Sequence, residues 1–194
     1  MSELTLRNRQ RARPIDLRLF RRIARALLTE LLFLEHYDLG VHLVAASEMA
    51  RLNRRFLNHE GSTDVISFDY LREKVASRSP QLQPSLHGEV FICIDDAVIQ
   101  AREFHTTWQS ELARYLVHGV LHLRGYDDLR PRPRSVMKRE ERRLLRNLEQ
   151  RFTLRSLSKT VQTADVNEGN QKSRARNTQR RFPLSKLAHK TNVV

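Results

Sequence analysis

Tyr115-Leu116-Val117-His118-Gly119-Val120-Leu121-His122-Leu123-Arg124-Gly125-Tyr126-Asp127-Asp128 is the stretch on which the reading of this chain turns. Leu112, Tyr115, Leu116, Gly119, Val120 and Leu123 recur at three- and four-residue intervals, the spacing of the buried face of an α-helix. At about 100° per residue, His118 and His122 stand one turn apart beside that stripe, where a core meets a cleft. Their imidazoles can converge on one ion. Gly125 can adopt the left-handed conformation that ends a helix, turning the chain back and carrying a carboxylate toward the two rings. The spacing favours Asp128 as that carboxylate, with Asp127 the competing choice.

The pattern His-x3-His-x2-Gly-x2-Asp has the histidine, glycine and third-ligand offsets of the metzincin proteases. Those enzymes place Glu after the first histidine; here the position is Gly119, so the protease general base is missing. Two histidines and one carboxylate leave a coordination position on Zn²⁺ open to water, whose pKa then falls to about 7. The expected chemistry is hydrolysis dependent on one Zn²⁺ per chain, held by His118, His122 and Asp128. Two histidines four apart on an arbitrary helix are more often surface or core residues than ligands. The glycine turn and the acid at the ligand offset tip the balance toward a metal. His36, His42, His87, His105 and His189 have no partner at ligand spacing and read as structural or solvated. Trp108, just ahead of the helix, reads as a packing residue.

Upstream, Leu17, Phe20, Ile23, Ala24, Leu27, Leu28, Leu31 and Leu32 mark an amphipathic helix, and Gly40 is expected to close the turn after it. Residues 41–45 then read as a strand, and Ser47 as the N-cap of a helix carrying Met49, Ala50, Leu52 and Phe56. Asp64-Val65-Ile66-Ser67-Phe68 and Glu89-Val90-Phe91-Ile92-Cys93-Ile94 are strands by their β-branched and aromatic content, and 71–87 between them is a loop. Helical patterns follow over 95–105, 109–123 and 135–152. The expected fold is an α+β domain over 14–152: a small mixed β-sheet covered by helices, with the metal site at the end of a central helix. Residues 1–13 are expected to form a basic N-terminal arm. Residues 153–194 are too polar to offset the entropy of ordering and are expected to form a disordered basic tail.

Composition narrows the class. Of 194 residues, 40% are hydrophobic, enough for a core, and 29% are charged. No uncharged apolar run approaches the roughly 18–20 residues of a membrane span, and no apolar signal-peptide core follows the N-terminus. A single cysteine, Cys93, excludes a disulfide framework and reads as a small buried hydrophobe. The formal charge of +13 divides unevenly: +6 lies in residues 1–25, +7 in 155–194, and 26–154 is neutral. Basic ends on a neutral body suit a polyanion such as RNA. The expected setting is cytoplasmic, with no membrane partner.

His118-Gly-Val-Leu-His122-Leu-Arg-Gly125-Tyr126-Asp127 closely resembles the signature of the YbeY family of bacterial rRNA-maturation endoribonucleases. Leu52-Asn53, Thr63-Asp64-Val65-Ile66-Ser67-Phe68 and Gly88-Glu89-Val90-Phe91-Ile92 agree in the same order, so the resemblance spans roughly residues 15–152. It implies a single-strand-specific, metal-dependent endoribonuclease acting in 16S rRNA 3′-end maturation and ribosome quality control. Its partners would be single-stranded rRNA and the small ribosomal subunit, with no DNA. Two departures stand out. The family's usual third ligand is His where this chain has Asp128, which lowers the charge of the site by one and makes bound water less acidic. The family commonly has an aromatic-Arg pair, the Arg contacting RNA phosphate, where this chain has Phe56-Leu57. Arg55 and His59 are the expected catalytic substitutes. A different class stays open beside this one: a ribosome-assembly factor that binds pre-rRNA or a ribosomal protein, with a structural metal.

Overall fold

The computed structural model describes residues 2–71, 86–158 and 188–189. Its elements are β1 (Glu3–Asn8), α1 (Leu17–Arg25), β2 (Tyr37–Val44), α2 (Ala46–Leu52), β3 (Val65–Asp69), β4 (Leu86–Cys93), α3 (Ile94–Glu103), α4 (Trp108–Leu123), α5 (Pro131–Arg151) and a two-residue β5 (Ala188–His189). α1 and α2 each run on into a wider π-helical turn, Ala26–Leu31 and Asn53–Leu57. The sheet is mixed, in the order β1-β2-β4-β3-β5. β1, β2 and β4 are parallel, β3 runs antiparallel to β4, and β5 antiparallel to β3. This is the expected α+β architecture.

Strand alternation divides the apolar side chains between two faces. On one face Val65, Val90 and Ile92 meet Phe20 and Ile23 of α1, Leu116 and Val120 of α4, and Leu144 and Leu148 of α5. On the other, Ile66, Phe68, Phe91 and Cys93 pack with Met49 of α2 in a smaller cluster. Each such side chain contributes roughly 1.5–3 kcal/mol when fully buried. α4 therefore lies between sheet and outer helices, buried along most of its length. Gly119 makes its close approach possible: a Cβ there would meet Val90 Cγ1 at 2.5 Å, and the Gly119 carbonyl accepts the Ser67 hydroxyl at 3.1 Å. A glutamate at this position, as in the proteases, would collide with the sheet.

Several expectations need correction. Residues 3–8, read as part of a free arm, form the edge strand β1, paired in register from Glu3↔Asp38 to Asn8↔Leu43. Arg21 donates to the Leu4 carbonyl at 2.6 Å and Arg9 pairs with Glu48 at 3.0 Å, so part of the N-terminal charge is spent inside the fold. Gly40 closes no turn. It lies inside β2, where a side chain would crowd Glu89 and His42 at 3.1–3.2 Å. Ser47 is not the cap of α2; the Ala46 N–H is held by Asp95 Oδ2 at 2.6 Å, a carboxylate brought from α3. α5 begins at Pro131 because proline is tolerated in a first helical turn. The tail begins later than residue 153, since Leu154 and Leu157 are buried and Ser158 bridges to Ile15. The disorder expected of the tail otherwise falls on 159–187 and 190–194, and most of the loop expected over 71–87 on 72–85, outside the described residues.

Candidate metal centre

The C-terminal end of α4 is built as a Schellman turn. Gly125 has φ +84°, its N–H bonds to the His122 carbonyl at 2.9 Å, and the Tyr126 N–H bonds to the Leu121 carbonyl at 3.1 Å. The reversal brings Asp128 back against the helix, where Arg134 Nε fixes its carbonyl at 2.7 Å. His118 Nε2 and His122 Nε2 are 3.0 Å apart, and Asp128 Oδ2 and Oδ1 lie 3.9 Å from them respectively. Ligand atoms of the three residues all fall within 4.8 Å of one another. Asp127 is turned away, its Oδ1 accepting the Leu129 N–H at 2.9 Å. Of the two aspartates, Asp128 is the one that joins His118 and His122 in a group that could hold a metal ion.

The second nitrogen of each ring is already engaged. His118 Nδ1 lies 2.8 Å from Glu141 Oε2 and His122 Nδ1 lies 3.1 Å from the Tyr126 carbonyl. Both partners accept, so when the rings are neutral each carries its proton on Nδ1 and turns an Nε2 lone pair toward the other. In that neutral state the two lone pairs, 3.0 Å apart beside a carboxylate, form a set of acceptors. Asp128 Oδ1 is buried without a hydrogen-bond partner. A cation with bonds of about 2.0–2.2 Å satisfies all three groups, so the donor set fits a divalent metal.

Burial opposes the charged form of His118, but the hydrogen bond and charge of Glu141, with Asp64 and Asp128, outweigh it and raise its pKa. Burial raises the Asp128 carboxyl, partly offset by the charges of His118 and Arg134. Asp64 is also raised by burial, against the charge of His118 and hydrogen bonds from the Val65 N–H and Thr63 hydroxyl.

Sequence reading did not single out Glu141 or Asp64 for the site. Glu141 had a signal: it stands on the apolar stripe of α5 with Met137, Leu144 and Leu148, where an acid needs a partner. His118, Asp128, Asp64 and Glu141 line a cavity of about 360 Å³ together with Phe104, Arg114, Arg134 and Lys138. Arg55 and His59 are not brought there. Both are exposed, Arg55 lying 5.3 Å over the Phe56 ring, and neither lines the cavity. Leu57 is buried.

A helix-borne His-His-Asp group opening on a cavity, on an α+β scaffold, defines a candidate hydrolytic metal site. The family model for "Endoribonuclease YbeY" matches residues 5–149, and the chain belongs to that family. A relative of that name from Salinibacter ruber is 40% identical over 103 residues, covering 53% of this chain and 65% of its own length. One from Parabacteroides distasonis is 33% identical, covering 56% and 69%. Another, from Alkaliphilus metalliredigens, is 29% identical, covering 71% and 90%. The solution structure of TM1509 from Thermotoga maritima matches the fold with a TM-score of 0.57 at 21% identity, over 84% of this chain and all of that one. No helix among the described residues is long and apolar enough to cross a membrane.

Proposed function

We propose that this protein is a zinc-dependent endoribonuclease that cuts single-stranded RNA during 16S rRNA 3′-end maturation and ribosome quality control, at the small ribosomal subunit in the cytoplasm. The observation that carries the reading is the convergence of His118 Nε2, His122 Nε2 and the unpartnered Asp128 Oδ1, with His118 and Asp128 lining the cavity. Membership of a family named for endoribonuclease activity supports it. When bound there, a divalent ion supplies a Lewis acid and lowers the pKa of a coordinated water. Glu141 and the Tyr126 carbonyl hold the two rings in the Nδ1–H tautomer, and Arg134 fixes the turn that presents Asp128. Asp64, buried near His118, lines the same cavity. Gly119 leaves no room for a protease base. In this reading Arg55 and His59 contact RNA away from the ion, and the remaining basic charge raises RNA affinity in a salt-dependent way.

The test is cleavage of a labelled single-stranded rRNA fragment by the wild type and by His122→Ala, each with and without added zinc. Wild type cuts and His122→Ala does not. If both bind the fragment and neither cuts with zinc present, the protein is instead a binding factor for pre-rRNA.

A further inference from the structure

The metal cavity has a rim that the reaction described so far does not use. Phe104, which caps the C-terminal end of α3, lines the cavity and is 59% exposed. Arg114 and Lys138 line the same cavity. Arg114 sits one turn before His118 on α4, and Lys138 one turn before Glu141 on α5, so both start from the helices that carry the site.

Arg114 is ion-paired on its own helix. Its Nε lies 3.3 Å from Glu111 Oε2, and Glu111 is buried and accepts the Thr106 hydroxyl. A guanidinium lining the cavity offers a planar fork suited to phosphate. Arg134 is different, because its Nε is committed to the Asp128 carbonyl. The position where the resemblance calls for a phosphate-contacting Arg is Leu57, which is buried. A ring offering its face to a base, beside cations spaced along a groove, is how single strands are gripped without a required sequence.

We propose that this rim is a nucleotide subsite: Phe104 stacks a base adjoining the cleaved phosphodiester, and Arg114 with Lys138 holds phosphate, in place of the arginine missing at Leu57. The proposal rests on the endoribonuclease reading. Five carboxyl groups line the cavity against the three cations Arg114, Arg134 and Lys138, so the subsite accepts phosphate only when a divalent ion has offset the excess. RNA and metal therefore bind cooperatively.

The experiment measures fluorescence anisotropy of a short, labelled, hydrolysis-resistant 2′-O-methyl phosphorothioate oligouridylate, across a salt series, with zinc content determined on every sample. Phe104→Ala weakens binding about tenfold, the scale of one lost base–aromatic stack. Phe104→Trp binds like wild type, and a duplex probe does not distinguish Phe104→Ala from wild type. Arg114→Gln and Lys138→Gln each weaken binding and lower the slope of log affinity against log salt by about 0.7, the value for one phosphate contact on a single strand. Chelation weakens binding by the wild type. All four variants keep wild-type zinc content. Wild-type affinity and salt slope in both Phe104→Ala and Arg114→Gln would overturn the subsite while leaving the nuclease reading intact. Loss of zinc in step with loss of binding in both Phe104 variants would also overturn it. A zinc-loaded wild type that neither binds nor cuts single-stranded RNA sinks the nuclease reading itself.

Discussion

Two clusters of histidine and carboxylate flank the sheet, and they differ in how completely they are satisfied. On the face covered by α2, His42 Nε2 meets Glu89 Oε1 at 3.1 Å, the Tyr70 hydroxyl donates to Glu89 Oε2 at 2.9 Å, and the His42 ring stacks on Phe91 with centroids 4.4 Å apart. Burial alone would raise the Glu89 carboxyl, but the hydrogen bonds and charge of His42 and the Tyr70 hydroxyl hold it below the usual range. On the α4 face, His118 and His122 aim lone pairs at each other, Asp128 Oδ1 is orphaned, and the Asp128 carboxyl is raised by burial. The first cluster closes on itself and holds the fold. The second leaves a buried acceptor without a hydrogen-bond partner and could hold a cation. Residue types alone do not separate the two; the accounting of donors and acceptors does.

The comparison breaks most sharply at the aspartates. Asp128→Ala should drop RNA cleavage to background, whereas Asp127→Ala, which loses only the bond to the Leu129 N–H, should stay near wild type; rates on a single-stranded substrate decide. Glu141→Gln comes next. It keeps the shape but loses the charge that holds His118, and should weaken zinc affinity by about 10–100-fold in a competition titration against a chelator. On the other face, His42→Leu should lower stability to urea by about 1 kcal/mol through the lost Glu89 hydrogen bond, with zinc affinity unchanged. A parallel loss of zinc affinity would mean that the two clusters are not independent.

The smallest effect is a pH dependence. His118 in the metal-free fold has a pKa raised above that of an ordinary histidine by the hydrogen bond and charge of Glu141, so its contribution to stability is full below the ordinary value and fades as pH rises through the raised one. Zinc needs the neutral ring and gains over the same interval. The increase in melting temperature caused by saturating zinc should therefore grow between about pH 6 and about pH 8. A constant or shrinking increment would contradict the His118–Glu141 coupling.

Much of the site was legible because it is local. His118, His122, Gly125 and Asp128 lie within one helix end and its turn, and helical geometry with one left-handed glycine carries them together. β3 and β4 were legible for the same reason, as short runs of β-branched and aromatic residues. What failed to show depends on distant chain. Glu141 reaches His118 only because α5 packs on α4. Asp95 displaces Ser47 as the cap of α2 through a contact 49 residues apart. Glu3-Leu4-Thr5-Leu6-Arg7 does alternate, but its arginine-rich surroundings read as a solvated arm until β2 supplies a partner. Gly40 looked like a turn because the crowding by Glu89 is invisible in one strand.

The most direct test of the central claim is the zinc content of protein stripped by chelator, reloaded and desalted, for the wild type, His118→Ala and His42→Leu. The account predicts about one ion per chain in the wild type and in His42→Leu, and none retained by His118→Ala. Equal zinc in His118→Ala and the wild type would contradict it.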